Sequence, residues 1–280
     1  MPRRGVTPAP ASASLTGLLL AAMVAVAPSA APAPPVELPS KERPRVDRTF
    51  SVATLNILGS QHTRGGDKRR TIKTARLIRR RGLKLMALQE VQDDQLRRLK
   101  VHLPRYRFWP NERHAPGGLR LQIGWLRTRF DLVDGGTITT RFSYQRRPVP
   151  WVRLRDEATG RRLFVIDVHN SPGDQEADRD SATRREVRLF NKLRERHGPV
   201  LVLGDANERR EWFCKVARRT GARAANGGSV GPDGRCTPPE HMSVDWLMGK
   251  GQFGWRDYRA EPVKVSDHRL HSATFRWRRL

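Results

Sequence analysis

Short apolar runs recur along this chain, too short for ordinary helices, and most of them end in or enclose a polar residue able to do chemistry. They occupy residues 50–58, 83–91, 119–126, 151–154, 163–168, 200–203, 244–248 and 272–277. Runs of this length, bounded by turn-forming residues, predict strands. Helical spacing is found between them: Ile72, Ala75 and Ile78 within 67–82, and Val187, Phe190 and Leu193 within 179–196. From about Tyr106 to Val168 there are several strand signals and no convincing helix. The expected fold class is therefore α/β, a mixed-sheet protein with helices on its outer faces rather than a regular parallel βαβ array.

The N-terminus has a different character. Arg3 and Arg4 precede an uncharged, mostly apolar run at 15–27, followed by the small residues Ser29, Ala30 and Ala31. That run is shorter than the ~20 residues a bilayer span needs. Residues 1–30 are therefore expected to be a cleaved signal peptide, with an uncleaved membrane anchor as the alternative. Residues 31–47 (APAPPVELPSKERPRVD) read as a Pro-rich linker, leaving 48–280 as one domain. Secretion is expected, with no stable membrane insertion after cleavage. The two cysteines, Cys214 and Cys236, fit export, because an oxidising compartment permits them to pair; two buried thiols are the alternative.

Charge points to partners rather than to chemistry. The 280 residues carry 54 Lys and Arg against 28 Asp and Glu, a formal net charge of +26. Such a surplus attracts polyanions: nucleic acid, anionic lipid or teichoic-type polymers. The densest basic run, residues 68–84, lies on an expected outer helix, where a charge run reads as a solvated face.

The chemistry lies at the strand tips. Asn56 is near the end of SVATLNIL, Glu90 ends LKLMALQE, His169 ends RLFVIDVH, and Asp205 and Asn207 follow PVLVLG. Asp245 is inside SVDWLM, and Asp267 and His268 form the loop SDH before the last strand. A polar group at the tip of a buried strand is held rigidly yet faces a cleft, which suits catalysis. Taken singly, each reads as a turn residue, a surface acid or a satisfied core histidine. Together, oxygen donors from Glu90, Asp267 and Asn56 suit Mg²⁺, Mn²⁺ or Ca²⁺, and no Cys/His cluster has zinc spacing. His169 and His268 can move protons near neutrality, with Asp245 able to orient one of them. A hard cation with acid–base histidines is equipment for hydrolysing a phosphoester.

The ordered series TLNIL, LMALQEV, VIDVHN, VLVLGDANE, SVDWLM and VSDHRL resembles the endonuclease/exonuclease/phosphatase family over about Ala53 to Phe275. The GDAN and SDH elements are its most specific parts. The resemblance implies a four-layer α/β sandwich, two facing mixed β-sheets flanked by helices, with a divalent-metal site at one end. It implies that Glu90 binds the metal directly, with Asn56 and Asp267 nearby. Asp205 would orient or deprotonate the attacking water, and Asn207 would hold a phosphate oxygen. His268, oriented by Asp245, would bind phosphate or act as base, and His169 would stabilise or protonate the leaving oxygen. Which histidine is the acid is left open. The chain also departs from the pattern. The piece 123–130 (IGWLRTRF) has no Ser-Arg pair, Glu112, Gln122 and Tyr144 compete as supports for His169, and Arg269 and Leu270 follow SDH.

Substrate is a separate question. Arg64, Arg113, Arg120, Arg146, Arg147, Arg209 and Arg210 lie in expected loops able to line a cleft, and His62 follows the Asn56 strand. His62, Arg64 and Arg209 are the candidate phosphate contacts, since guanidinium forks onto two phosphate oxygens. A nonspecific endonuclease acting on DNA or RNA is the expectation. A sphingomyelin or phosphoinositide phosphohydrolase is the first alternative, for which residues 142–151 (FSYQRRPVPW) are the candidate membrane projection. A noncatalytic polyanion-binding protein is the second.

Overall fold

Inward-facing rows of alternate residues organise the fold, and they are visible in a computed structural model that describes residues 48–63, 68–111 and 120–279. The expected signal peptide and linker lie outside the described residues, as do Arg64, Glu112 and Arg113. The first part of the described chain forms β1 (Thr49–Asn56), α1 (Lys68–Arg80), β2 (Leu85–Gln89), α2 (Asp93–His102), β3 (Tyr106–Trp109) and β4 (Leu121–Leu126). The long ribbon β5 (Phe130–Phe142) and β6 (Gln145–Asp156) follows, then β7 (Arg162–His169), α3 (Glu176–Arg194), β8 (Val200–Asp205) and α4 (Arg210–Thr220). Short β9 (Arg223–Ala224), β10 (Ser229–Val230) and β11 (Cys236–Thr237) lead to β12 (Asp245–Lys250), β13 (Phe253–Pro262) and β14 (Arg269–Trp277).

Two six-stranded sheets result, ordered β13-β14-β1-β2-β4-β3 and β5-β6-β7-β8-β12-β9. Each is mixed: β1 runs parallel to β2 and β7 parallel to β8, while the other pairings are antiparallel. Strand side chains alternate between faces. Val52, Leu85, Ala87 and Phe275 of one sheet meet Val165, Leu203 and Leu247 of the other in the central layer. The opposite faces carry Leu55, Met86 and Leu88 against Ile78 of α1 and Leu96 and Leu99 of α2. On the second sheet Ile166, Val168, Val202 and Met248 pack on Phe190 of α3 and on Trp212 and Phe213 of α4. At ~1.5–3 kcal/mol per fully buried large side chain, these three apolar layers supply the adhesion of a four-layer sandwich.

Several elements carry no clear sequence signal. β5 and β13 are edge strands, with only their end or occasional residues buried, so the alternation that marks a strand is diluted. α2 buries only Gln95, Leu96 and Leu99. α4 is short, and its apolar residues Trp212, Phe213 and Val216 also suit a strand. The expected helix at 67–82 is α1. Its buried stripe is Thr71, Thr74, Ala75, Leu77 and Ile78, and Lys68, Arg69, Lys73 and Arg76 face outward. Arg70 instead turns inward to donate to the carbonyl of Ile57, to that of Val265 at 3.2 Å and to Thr63 Oγ1 at 2.9 Å, tying together loops that carry the site. Cys214 and Cys236 form a disulfide that joins α4 to β11 across 22 residues. Among the described residues no helix is long and apolar enough to cross a membrane.

Candidate active site

The inward rows change character at one end of the sandwich. On β1, Phe50 and Val52 are followed by Thr54 and Asn56; on β2, Leu85 and Ala87 by Gln89; on β7, Leu163 and Val165 by Asp167 and His169. On β8, Leu201 and Leu203 lead to Asp205, and Leu247 of β12 neighbours Asp245. The same period of two that builds the core thus delivers polar groups to one place. Cross-strand register completes the job: His169 and Asp245 are the two lateral partners of Asp205. Gly204 allows the close approach. Its φ is +136°, and a Cβ there would lie 2.0 Å from the Val168 carbonyl oxygen.

Asn56 bridges the sheets. Its Nδ2 donates to Glu90 Oε1 at 3.0 Å and to Asp205 Oδ2 at 3.2 Å, while its Oδ1 accepts from Leu58 N at 3.0 Å. Glu90 sits just past β2 with a left-handed φ of 61°, an uncommon conformation for a residue with a side chain. The backbone N–H of Gly59 holds it there, donating to Oε2 at 2.8 Å. Burial pushes the Glu90 carboxyl up, but the Gly59 and Asn56 hydrogen bonds together with nearby His169 and His62 outweigh it and leave its pKa lowered.

Around Asp205 the charges are arranged differently. Burial, then repulsion from Asp245, raises its pKa to about 7. His169 Nε2 is 3.5 Å and His268 Nε2 3.7 Å from Asp205 Oδ2. His268 Nδ1 is 3.0 Å from Asp245 Oδ2. Burial pushes His268 down, yet Asp245 and Asp205 carry its pKa up to about 9. His169 goes the other way: burial lowers it to about 4, so it is a neutral ring at pH 7. Its Nδ1 is buried with no partner among the described residues. Of its expected supports, Gln122 is engaged with Asn111 and Tyr144 is exposed.

Asn56, Glu90, His169, Asp205, Asn207 and His268 all line one cavity of about 270 Å³. Asn207 donates through its backbone N–H to Asp205 Oδ1 at 2.9 Å and through Nδ2 to the Asn170 carbonyl at 2.8 Å. Asp245 stands behind His268. Asp267 is exposed, is not part of the lining, and accepts from Ser266 Oγ at 3.2 Å. Among the expected phosphate contacts, His62 reaches the cavity, its Nε2 3.6 Å from Glu90 Oε2. Arg209 is exposed at the start of α4 and does not line it. Arg120 and Arg147 do, with Arg147 stacked 3.8 Å from the centre of the Phe142 ring.

Two buried networks escape sequence reading. Beneath the site, Gln89 Nε2 donates to Asp167 Oδ1 at 2.7 Å and to Thr54 Oγ1 at 3.1 Å. Full burial holds the Asp167 carboxyl well above the usual range. Behind Asp245, His271 Nε2 is 3.8 Å from Oδ2 and His271 Nδ1 pairs with the Tyr258 hydroxyl at 2.7 Å. Strand alternation is the signal for Gln89, Asp167 and His271, each being a polar member at the site end of an inward row.

The donor set fits a hard divalent cation. Glu90 offers carboxylate oxygens to the cavity with the Asn56 amide bonded to it at 3.0 Å, and beside them Asp205, Asp245 and His268 carry further ligand-type atoms within 4.8 Å of one another. Two neighbouring buried acids, one with its pKa pushed up first by burial and then by the other, favour an added positive charge.

Residues 53–268 match the Endonuclease/Exonuclease/phosphatase family. The chain belongs to that family. Members of the endonuclease/exonuclease/phosphatase family are hydrolases of phosphoester bonds and are generally divalent-metal dependent. No significant match was found among curated protein sequences. The sandwich is similar to the human Nocturnin catalytic domain with bound sulfate anion, at 19% identity and TM-score 0.65 over 82% of this chain and 94% of that one. It is similar to D. rerio TDP2 complexed with single strand DNA product, at 16% identity and TM-score 0.61 over 82% and 99%. A mannosyl-6-phosphatase of Bacteroides thetaiotaomicron matches at 16% identity and TM-score 0.61 over 81% and 99%. At these identities the likeness is one of fold.

Proposed function

We propose that this endonuclease/exonuclease/phosphatase-family protein is a secreted, Mg²⁺-type metal-dependent phosphodiesterase that cuts DNA or RNA internally without sequence preference. The supporting observation is one cavity in which Asn56, Glu90, His169, Asp205, Asn207 and His268 converge beside Arg120 and Arg147. Secretion rests on the N-terminal segment and agrees with the Cys214–Cys236 disulfide.

Glu90 and Asn56 would hold the cation, which when bound supplies Lewis-acid stabilisation of charge on the phosphoryl oxygens. His268, carrying its proton well above neutrality, pairs with a non-bridging phosphate oxygen through Nε2 while Asp245 fixes its ring. Asp205, with a pKa near 7, accepts the proton of the attacking water. His169, a neutral ring, donates a hydrogen bond to the leaving oxygen. The P–O bond to that oxygen breaks as water adds, the departing oxygen takes its proton from solvent, and environment rather than residue type decides which histidine is charged.

Arg120 and Arg147 favour a polyanion. The lipid alternative loses support at the 142–151 segment: Phe142 is 8% exposed and Trp151 packs against a core cluster, leaving Tyr144 as its one exposed aromatic, beside polar Gln145 and Arg146. Incubating plasmid DNA, RNA, sphingomyelin and inositol phosphates with Mg²⁺ or with EDTA tests the proposal. Cleavage of plasmid or RNA that EDTA abolishes is expected. Lipid turnover beside intact plasmid and RNA, or no turnover of anything under several metals, would refute it.

A further inference from the structure

At the tip of the β5–β6 ribbon, Arg141 and Arg146 are direct cross-strand partners. Like charges set opposite each other in a sheet repel and cost stability. The turn between them is made by Ser143 and Tyr144, both left-handed, with φ of 44° and 65°. Two-residue turns of this kind favour Asn and Gly, and a bulky residue there is strained. Packing does not offset the strain, because Tyr144 is 89% exposed.

The turn is instead fixed from outside. Ser143 N donates to Ser171 Oγ at 2.9 Å, Tyr144 N to Asp178 Oδ2 at 3.3 Å, and Gln175 Nε2 to the Tyr144 hydroxyl at 3.0 Å. An aromatic ring is thereby presented to solvent in a fixed position. Beside it lies a cleft of about 470 Å³ lined by Arg141, Tyr144 and Arg146 from the ribbon and Ser181 and Arg185 from α3; no acid lines it, and Asp178 approaches Arg141, its Oδ1 3.8 Å from Nη1. Arg185 Nη1 donates to the Thr139 carbonyl at 2.9 Å, closing the cleft floor. Phe142 and Arg147 of the same ribbon line the catalytic cavity, so the two basic concavities share a wall.

We infer that this cleft is a docking subsite for a single strand of the nucleic acid, next to the scissile phosphate. The inference rests on the proposed nuclease reading. Arg141, Arg146 and Arg185 take flanking phosphates, and an unpaired base stacks on Tyr144. The Arg141–Arg146 repulsion, which Asp178 offsets only in part, is relieved further when an anionic, stacking partner arrives. An anionic bilayer fits less well: one tyrosine flanked by Ser143, Gln145 and arginines offers little apolar surface to insert.

Fluorescence anisotropy with a labelled single-stranded oligonucleotide in EDTA reads the subsite without catalysis. Y144A should weaken binding about tenfold and Y144W should restore it. R141Q/R146Q should weaken it further and flatten the dependence of log K on log salt by about 1.4. Turnover of bis(p-nitrophenyl) phosphate with Mg²⁺, which reads the catalytic cavity alone, should stay at the parent level in every variant. Unchanged oligonucleotide affinity would overturn the inference. So would an equal loss on both readouts, or weakened binding to phosphatidylserine vesicles beside unchanged oligonucleotide binding. If the parent binds oligonucleotide through Tyr144 yet hydrolyses neither diester nor polymer, the nuclease reading fails while the subsite stands.

Discussion

Asp245 holds His268 by its inner ring nitrogen, Nδ1 lying 3.0 Å from Oδ2, and this contact does much to set the charge of the site. Burial alone would discharge the imidazole; Asp245 and Asp205 instead keep it protonated up to about 9. If protonated His268 is the working form, activity falls as pH rises through that value. Asp245→Asn removes the anion, so the alkaline limb should move down toward the ordinary value of about 6.5, and kcat should drop by ~10²–10⁴. Paired pH–rate profiles check this, and an unmoved alkaline limb in the variant would count against the assignment.

Asp205 links the site to its cation. Its pKa is raised to about 7, so as a base it works only above that pH. A divalent cation beside it favours the ionised form, and the acid limb of kcat/KM should therefore move to lower pH as Mg²⁺ rises. Glu90→Ala should raise the Mg²⁺ needed for half-maximal rate by ~10–100-fold and remove the Mg²⁺-dependent rise in Tm. Titrating Mg²⁺ at several pH values measures both effects; an acid limb indifferent to Mg²⁺ would contradict the linkage.

Below the site, Glu186 joins Asn170 and Trp212, accepting from Asn170 Nδ2 at 3.5 Å and Trp212 Nε1 at 3.3 Å. Burial raises its pKa from 4.5 to about 7. A raised folded-state pKa gives relative stability below 4.5 that is lost as pH climbs through about 7. Glu186→Gln removes that loss, and should be more stable than the parent at pH 8, by up to ~3 kcal/mol, with little difference at pH 4. Urea melts at the two pH values decide it.

The Cys214–Cys236 bridge closes a chain segment of 22 residues between α4 and β11. Loop-closure entropy for that length predicts that Cys214→Ser/Cys236→Ser lowers unfolding free energy by about 3 kcal/mol. Both half-cystines are buried beside Phe213 and Ala217, and neither lines the catalytic cavity. Turnover per folded molecule should hold while the urea midpoint falls. Equal midpoints for the variant and the oxidised parent would refute the estimate.

Much of this protein was legible in the chain because strand side chains alternate. Rows such as Leu201, Leu203, Asp205 and Leu163, Val165, Asp167, His169 write core and site into one period-two pattern. The α/β class, the core strands and the polar strand tips follow from local sequence, since apolar spacing decides which face is buried. The edge strands β5 and β13 did not follow, because their half-exposed faces leave that spacing without contrast.

Tertiary structure decided what local spacing cannot encode. Strand order sets His169 and Asp245 on either side of Asp205, and the facing of two sheets brings Asn56 to within 3.2 Å of a residue 149 positions away. It left Asp267 and Arg209 outside the cavity wall while bringing Arg120 and Arg147 into it. Burial and neighbouring charge, both products of packing, then separated histidines of one type, His169 to about 4 and His268 to about 9. Sequence by itself determined which residue types stand at the strand tips; only the meeting of distant strands determined which of them touch, and so which proton each holds.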